Sequence, residues 1–185
     1  MLRIFTQIVI ALLLSTIMGC GGWSYIKKEK SEKINNQYEF MLPKGWMVIK
    51  SKEHVTLTRD AISLQSITVS FTAKKKAFET IKQDFPENAL PYEIAELYLA
   101  EYKARNQSMT IDTSENNPKS IAGNDGFQIF LDTQNSDGVP YKLIISGFAT
   151  KNGIYTLTYI APKTRFYALD LANYTKLLNS LTKKS

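Results

Sequence analysis

Alternating apolar and polar residues dominate the chain between Tyr38 and Pro162. In "YEFML", Tyr38, Phe40 and Leu42 fall on one side of an extended strand. Pro43-Lys44-Gly45 predicts a turn, since proline presets φ and glycine accepts positive φ. Trp46, Val48 and Lys50 continue as a second short strand. "HVTLTRD" and "SLQSITVSFTA" predict two more, with Ile67, Val69 and Phe71 opposite Thr68, Ser70 and Thr72. In the second half Phe127, Ile129 and Leu131 alternate, then Tyr141, Leu143 and Ile145, then Tyr155, Leu157 and Tyr159. The joins are "NSDG" at 135–138 and "KNG" at 151–153. Such joins between alternating runs predict hairpins, hence an antiparallel meander.

Other stretches carry helical spacing. "KAFETIKQDF" predicts a short helix ending before Pro86. "PYEIAELYLAEYKAR" predicts a longer one opening on Pro91, with Tyr92, Ala95, Leu99 and Tyr102 on its apolar face. Glu101 and Arg105, four apart, read as a weak surface pair. Near the end Tyr167, Leu171, Tyr174, Leu178 and Leu181 form one helical stripe, with Asp170, Asn173 and Lys176 placed on the other side. Hairpins exclude a purely parallel sheet, and helices must cover at least one face. The fold class expected is α+β, an antiparallel sheet covered by helices.

Ahead of this pattern the chain begins differently. Arg3 supplies a short positive region, and Ile4 to Met18 are mostly apolar. The run is short for a membrane span, which takes roughly 20 apolar residues, and suits the apolar part of a signal peptide. Ile17-Met18-Gly19-Cys20 resembles the bacterial lipobox: an aliphatic residue, a tolerant position, a small residue and cysteine. Met18 departs from the usual alanine or serine, while Gly19 and Cys20 match. The resemblance implies cleavage between Gly19 and Cys20 and acylation of Cys20, so that membrane lipid is one partner. It also favours the outer membrane facing the periplasm, because Gly21 is not the aspartate that tends to retain lipoproteins on the inner membrane. In an organism with a single membrane, the outer face of that membrane is implied. The expected organisation is a signal peptide over 1–19, a lipidated, flexible tether over 20–37, and a globular domain over 38–185. The charged run "KKEKSEK", with no apolar periodicity, motivates the tether.

Composition adds limits. Hydrophobic residues make up 44% of the 185 residues and charged residues 22%, enough apolar content for one domain with a real core. The net charge of +6 can favour anionic surfaces but reads first as a plain solvated surface, and no nucleic-acid module signature accompanies it. There is one cysteine, which excludes an internal disulfide, and one histidine, His54. His54 has no nucleophile motif around it and reads as a surface residue. No catalytic residue, metal site or cofactor is expected. "DTQNSDG" fails as a calcium loop, with Thr133 first and Ile144 twelfth, and reads as a polar turn. "GNDG" at 123–126 lacks a phosphate-loop pattern. Lys74 to Lys76 read as a solvated loop.

The order of parts resembles the PsbP-like family. The matching pieces are Pro43-Lys44-Gly45-Trp46, Gly123-Asn124-Asp125-Gly126-Phe127 and Tyr155 to Pro162. That family includes an extrinsic photosystem II protein, a Ran-binding import factor and bacterial lipoproteins of the DcrB type. The resemblance implies an α/β/α sandwich around an antiparallel sheet. It implies no single activity, because fold alone does not carry one. The expected function is a non-enzymatic binding or accessory module of the envelope, with a protein partner of unknown identity and unknown ligand residues. The alternative is a small-molecule or lipid carrier, or a cryptic hydrolase, with a pocket between sheet and helix.

Overall fold

A computed structural model describes residues 22–184. Cys20 and Gly19, the expected lipidation and cleavage positions, lie outside the described residues. The strands are β1 (Ser24–Tyr25), β2 (Lys30–Ile34), β3 (Tyr38–Leu42), β4 (Met47–Lys50), β5 (His54–Thr58) and β6 (Ser66–Ala73). After helix α1 (Pro91–Arg105) come β7 (Thr110–Ile121), β8 (Asn124–Gln134), β9 (Pro140–Thr150) and β10 (Gly153–Pro162). Helix α2 (Phe166–Ser180) and β11 (Thr182–Lys183) close the chain. Eight strands pair in the order β1-β4-β5-β6-β10-β9-β8-β7, every pair antiparallel. A second sheet has the order β11-β3-β2.

The large sheet is buried on both faces over its centre, and its two alternating residue sets feed separate cores. On one face Val55, Val69, Leu157, Tyr159, Ile144 and Phe148 pack with Phe40 and Leu42 of the small sheet and with Tyr174, Leu177 and Leu178 of α2. On the other, Phe127, Ile129, Leu131, Leu143 and Ile145 pack with Ile94, Ala95 and Leu99 of α1 and with Phe78. This is the three-layer α/β/α arrangement, with the small sheet sharing one outer layer with α2. The expected meander is present as β8-β9-β10, with Tyr155 opposite Phe148 and Phe127 opposite Gly147.

Two glycines show why the "GNDGF" segment is spelled as it is. Gly123 has φ +76°, in the left-handed region that the tight β7–β8 turn requires. Gly126 lies under a neighbouring strand: a Cβ there would sit 2.3 Å from the Gly147 carbonyl oxygen.

Several expectations are corrected. Residues 24–34, expected within the tether, hold β1 and β2, and Ile26 and Ile34 are each 1% exposed. Two lone apolar residues in a charged run give no periodicity, yet each fills a place in the core. The segment 76–85 is not an α-helix: a 3-10 turn at Lys74–Lys76 leads into irregular turns, with Lys82 at φ +54°. There Glu101 of α1 accepts the backbone N–H groups of Thr80 and Ile81 at 3.1 and 3.0 Å, taking donors that a helix would use. Glu101 is therefore buried, at 3% exposure, and no surface residue. Tyr92 is exposed, while Ile94 takes the core place. Asp170 is fully buried, because it lies one turn before Tyr174 on the same side of α2. The strand β7 carries no sequence signal: "TIDTSENNPKSI" is polar because it forms a sheet edge exposed along most of its length.

Candidate functional site

Three turns and the chain's end converge at one pole of the sheet. The β2–β3 turn carries Asn35 and Asn36, both left-handed at φ +49° and +54°, a conformation that asparagine tolerates. The β9–β10 hairpin presents Lys151 and Asn152. The β7–β8 turn presents Asn124. β11 adds to the edge of β3, and Lys184 N–H bonds the Gln37 carbonyl at 2.8 Å. Beneath them Tyr38, Phe148 and Tyr155 cluster, with ring centroids 4.6 to 5.3 Å apart.

The two tyrosine hydroxyls organise the polar layer above these rings. Tyr155 donates to Gln37 Oε1 at 2.8 Å and accepts from Asn35 Nδ2 at 3.1 Å. Tyr38 accepts from Asn124 Nδ2 at 3.3 Å. Burial pushes the Tyr155 phenol up, against the Asn35 bond, so it stays a neutral donor. Side-chain amides are thus held on a rigid aromatic base, and lysines stand around them.

A groove of about 510 Å³ runs between Gln37, Asn124, Asn152, Lys151, Lys183 and Lys184. A second, of about 370 Å³, lies across the hairpin between Lys74, Phe85, Glu87, Asn88 and Lys151. Lys74 pairs with Glu87 at 3.2 Å and lies 5.8 Å from the Phe85 ring centroid. Lys76 pairs with Glu53. Lys151, Lys183 and Lys184 have no ion pair among the described residues. Cations and amides around a shallow groove suit carboxylates or other anions on a partner surface. The sequence signals were there, as Asn35-Asn36, "KNG" and the terminal lysines, but nothing in one dimension brings them together.

His54 is exposed, and its Nδ1 lies 2.8 Å from Ser51 Oγ. The contact resembles a nucleophile and its base, but it closes a turn. Ser51 Oγ also accepts the N–H groups of Glu53 and His54 at 3.3 and 3.1 Å, which occupies the lone pairs an attack would need. "DTQNSDG" is a turn too: Asn135 Oδ1 accepts from Asp137 and Val139 N–H. Arg59, Gln65 and Asn173 surround the buried Asp170 carboxylate at 3.0 to 3.2 Å. That cluster ties the β5–β6 loop to α2, with the Asp170 side chain itself fully buried. Between the sheet and α2, where a carrier would need its cavity, the core beside Tyr155 and Leu178 leaves about 10 Å³, room for one water molecule at most.

No family model and no curated protein matches the chain. Solved structures do. Cyanobacterial PsbP (CyanoP) from Synechocystis is similar at a TM-score of 0.60 and 13% identity, over 91% of this chain and 99% of that one. The Ran-binding protein Mog1p of Saccharomyces cerevisiae is similar at 0.54 and 9%, over 84% and 95%. A Pseudomonas aeruginosa protein of unknown function is similar at 0.51 and 11%, over 85% and 98%. At such identities the likeness is one of fold. This chain has the α+β, PsbP- and Mog1-type fold that its motifs imply.

Proposed function

We propose that this chain is a bacterial lipoprotein, cleaved between Gly19 and Cys20 and acylated on Cys20, whose domain is a non-enzymatic binding module of the cell envelope. In this reading it faces the periplasm from the outer membrane, and its basic pole holds an acidic surface of an envelope protein. The observation that carries the binding part is the set of lysines without an ion pair among the described residues, Lys151, Lys183 and Lys184, around amides fixed on Tyr38 and Tyr155. Among structures of similar fold is the Ran-binding protein Mog1p, a precedent for a binding role on this scaffold. The 10 Å³ left beside α2 speaks against an internal carrier.

The test uses a photo-crosslinker at Asn152 in intact cells. Crosslinks to a defined protein should be lost in Lys151→Glu/Lys183→Glu/Lys184→Glu, with the melting temperature unchanged. A crosslink pattern indifferent to the charge reversal would remove the pole from the reading. The anchor has its own test: Cys20→Ser should abolish palmitate labelling and processing, and continued labelling would exclude it.

A further inference from the structure

The first described residues bear on which side of the domain could meet a membrane. Gly22 follows Cys20 by two residues, and β1 begins at Ser24. The four residue steps from Cys20 to Ser24 reach at most about 14 Å when fully extended, so a lipid on Cys20 leaves little slack before β1 begins. β1 pairs with β4, Tyr25 opposite Met47, and Ile26 is locked by bonds to the Trp46 carbonyl and the Gly45 N–H. The domain is held by its β1 edge.

That edge has an uncommon surface. Trp23 is 38% exposed and Tyr25 58%, two residues apart on extended backbone and hence on one side. Such rings favour the boundary between headgroups and acyl chains, with one end apolar and the other wet. Next to them Lys27, Lys28 and Lys44 are exposed, and Gly45 N–H bonding to Ile26 brings the two lysine-bearing turns together. None of these three lysines has an ion pair among the described residues; the neighbouring Glu29 is taken up by Lys176 at 2.6 Å.

We infer that this edge is a membrane-docking face: Trp23 and Tyr25 enter the interface of an anionic bilayer while Lys27, Lys28 and Lys44 lie over its headgroups. The inference rests on the lipid-anchor reading for the proximity of the bilayer, and adds a fixed orientation to it. The domain does not swing on a long leash.

Full-length protein, reconstituted in vesicles of phosphatidylethanolamine and phosphatidylglycerol with brominated acyl chains, tests this. Of the two tryptophans, Trp46 is 1% exposed and Trp23 lies in the proposed face. Bromine should quench the Trp23 share of the emission, and Trp23→Phe should remove the quenching. A tryptophan placed at Lys119, on the opposite edge of the sheet, in the Trp23→Phe background should stay bright. Lys27→Gln/Lys28→Gln/Lys44→Gln should weaken the quenching of Trp23, and more so at low salt. An unquenched Trp23, or equal quenching at position 119, overturns the docking face. Palmitate labelling reports on the anchor separately. A labelled protein with an unquenched Trp23 keeps the anchor and loses the orientation, and an unlabelled protein with a quenched Trp23 does the reverse.

Discussion

Glu101 and Arg105 stand one turn apart on α1, and Arg105 Nε donates to Glu101 Oε1 at 2.7 Å. The same carboxylate holds the N–H groups of Thr80 and Ile81, so one side chain fastens the irregular 77–86 segment to the helix. Glu101→Ala orphans both amides in a buried setting and should cost about 3 kcal/mol. Glu101→Gln keeps an acceptor and should cost about half that. Urea unfolding of the two variants checks the order. Equal losses would show that the charge, and not the accepting oxygens, does the fastening.

The same contact sets an acid limit. Burial pushes the Glu101 carboxyl up, but bonds from Thr80 and Ile81 and the Arg105 charge outweigh it and hold it below the ordinary 4.5. A carboxyl held low stabilises the fold above its unfolded value, and the gain fades as pH falls through the folded value. Stability should therefore drop below about pH 4.5, and Glu101→Gln should flatten that drop. A wild-type and a variant curve of the same steepness would contradict this.

At the alkaline end the buried phenols act with the opposite sign. Burial, reinforced by Tyr98, pushes Tyr102 up to about 12. Burial likewise raises Tyr98, Tyr159, Tyr167 and Tyr174 above the ordinary 10. A phenol raised in the folded state stabilises fully below 10, and this is lost as pH rises toward the folded value. Unfolding should set in above about pH 10, together with a cooperative rise in tyrosinate absorbance. Gradual ionisation of these tyrosines in a protein that stays folded would sink this.

Asp170 is fully buried with Arg59, Gln65 and Asn173 around it. Asp170→Ala leaves the Gln65 amide and the Arg59 guanidinium, which keeps Asp60, with one partner fewer and should cost about 1–3 kcal/mol. The β5–β6 loop, residues 59–65, should then become the first site of proteolysis. A variant as protease-resistant as the wild type would show that the loop is held by other contacts.

Gly126 and Gly123 differ in what they forbid. Gly126→Ala places a methyl 2.3 Å from the Gly147 carbonyl oxygen, so strands β8 and β9 must part; a cost of about 3 kcal/mol or more follows. Gly123→Ala meets open space and only the strain of φ +76°, about 1 kcal/mol. Thermal melts of the two variants separate the effects, and a reversed order would refute the assignment.

Sequence and structure agree where burial is regular. β8 buries every second residue while β9 and β10 are buried on both faces over much of their length, and their long runs with Asn-Gly or Asp-Gly joins are readable from one dimension. The stripe of α2 is readable for the same reason. β7 was not, since an edge strand needs few apolar residues and its register is set by β8. Asp170 was misplaced because a charge on a buried helix face makes sense only once Arg59, far away in sequence, arrives. The basic pole was unreadable as a site: Asn35, Asn124, Lys151 and Lys183 come from four distant segments and meet only after two sheets form.

The strand order has a metric meaning. Neighbouring strands lie about 4.8 Å apart, so the eight-stranded sheet separates its first edge from its last by roughly 34 Å. On the docking inferred above, with β1 at the bilayer, the sheet would act as a ruler standing on its end. β4 and β5 lie low, and β9 and the lysine-tipped β9–β10 hairpin stand some 20–25 Å up. A partner gripped there would be met at a height above the lipid set by the seating of Trp23 and Tyr25, and withdrawing those two rings would change it.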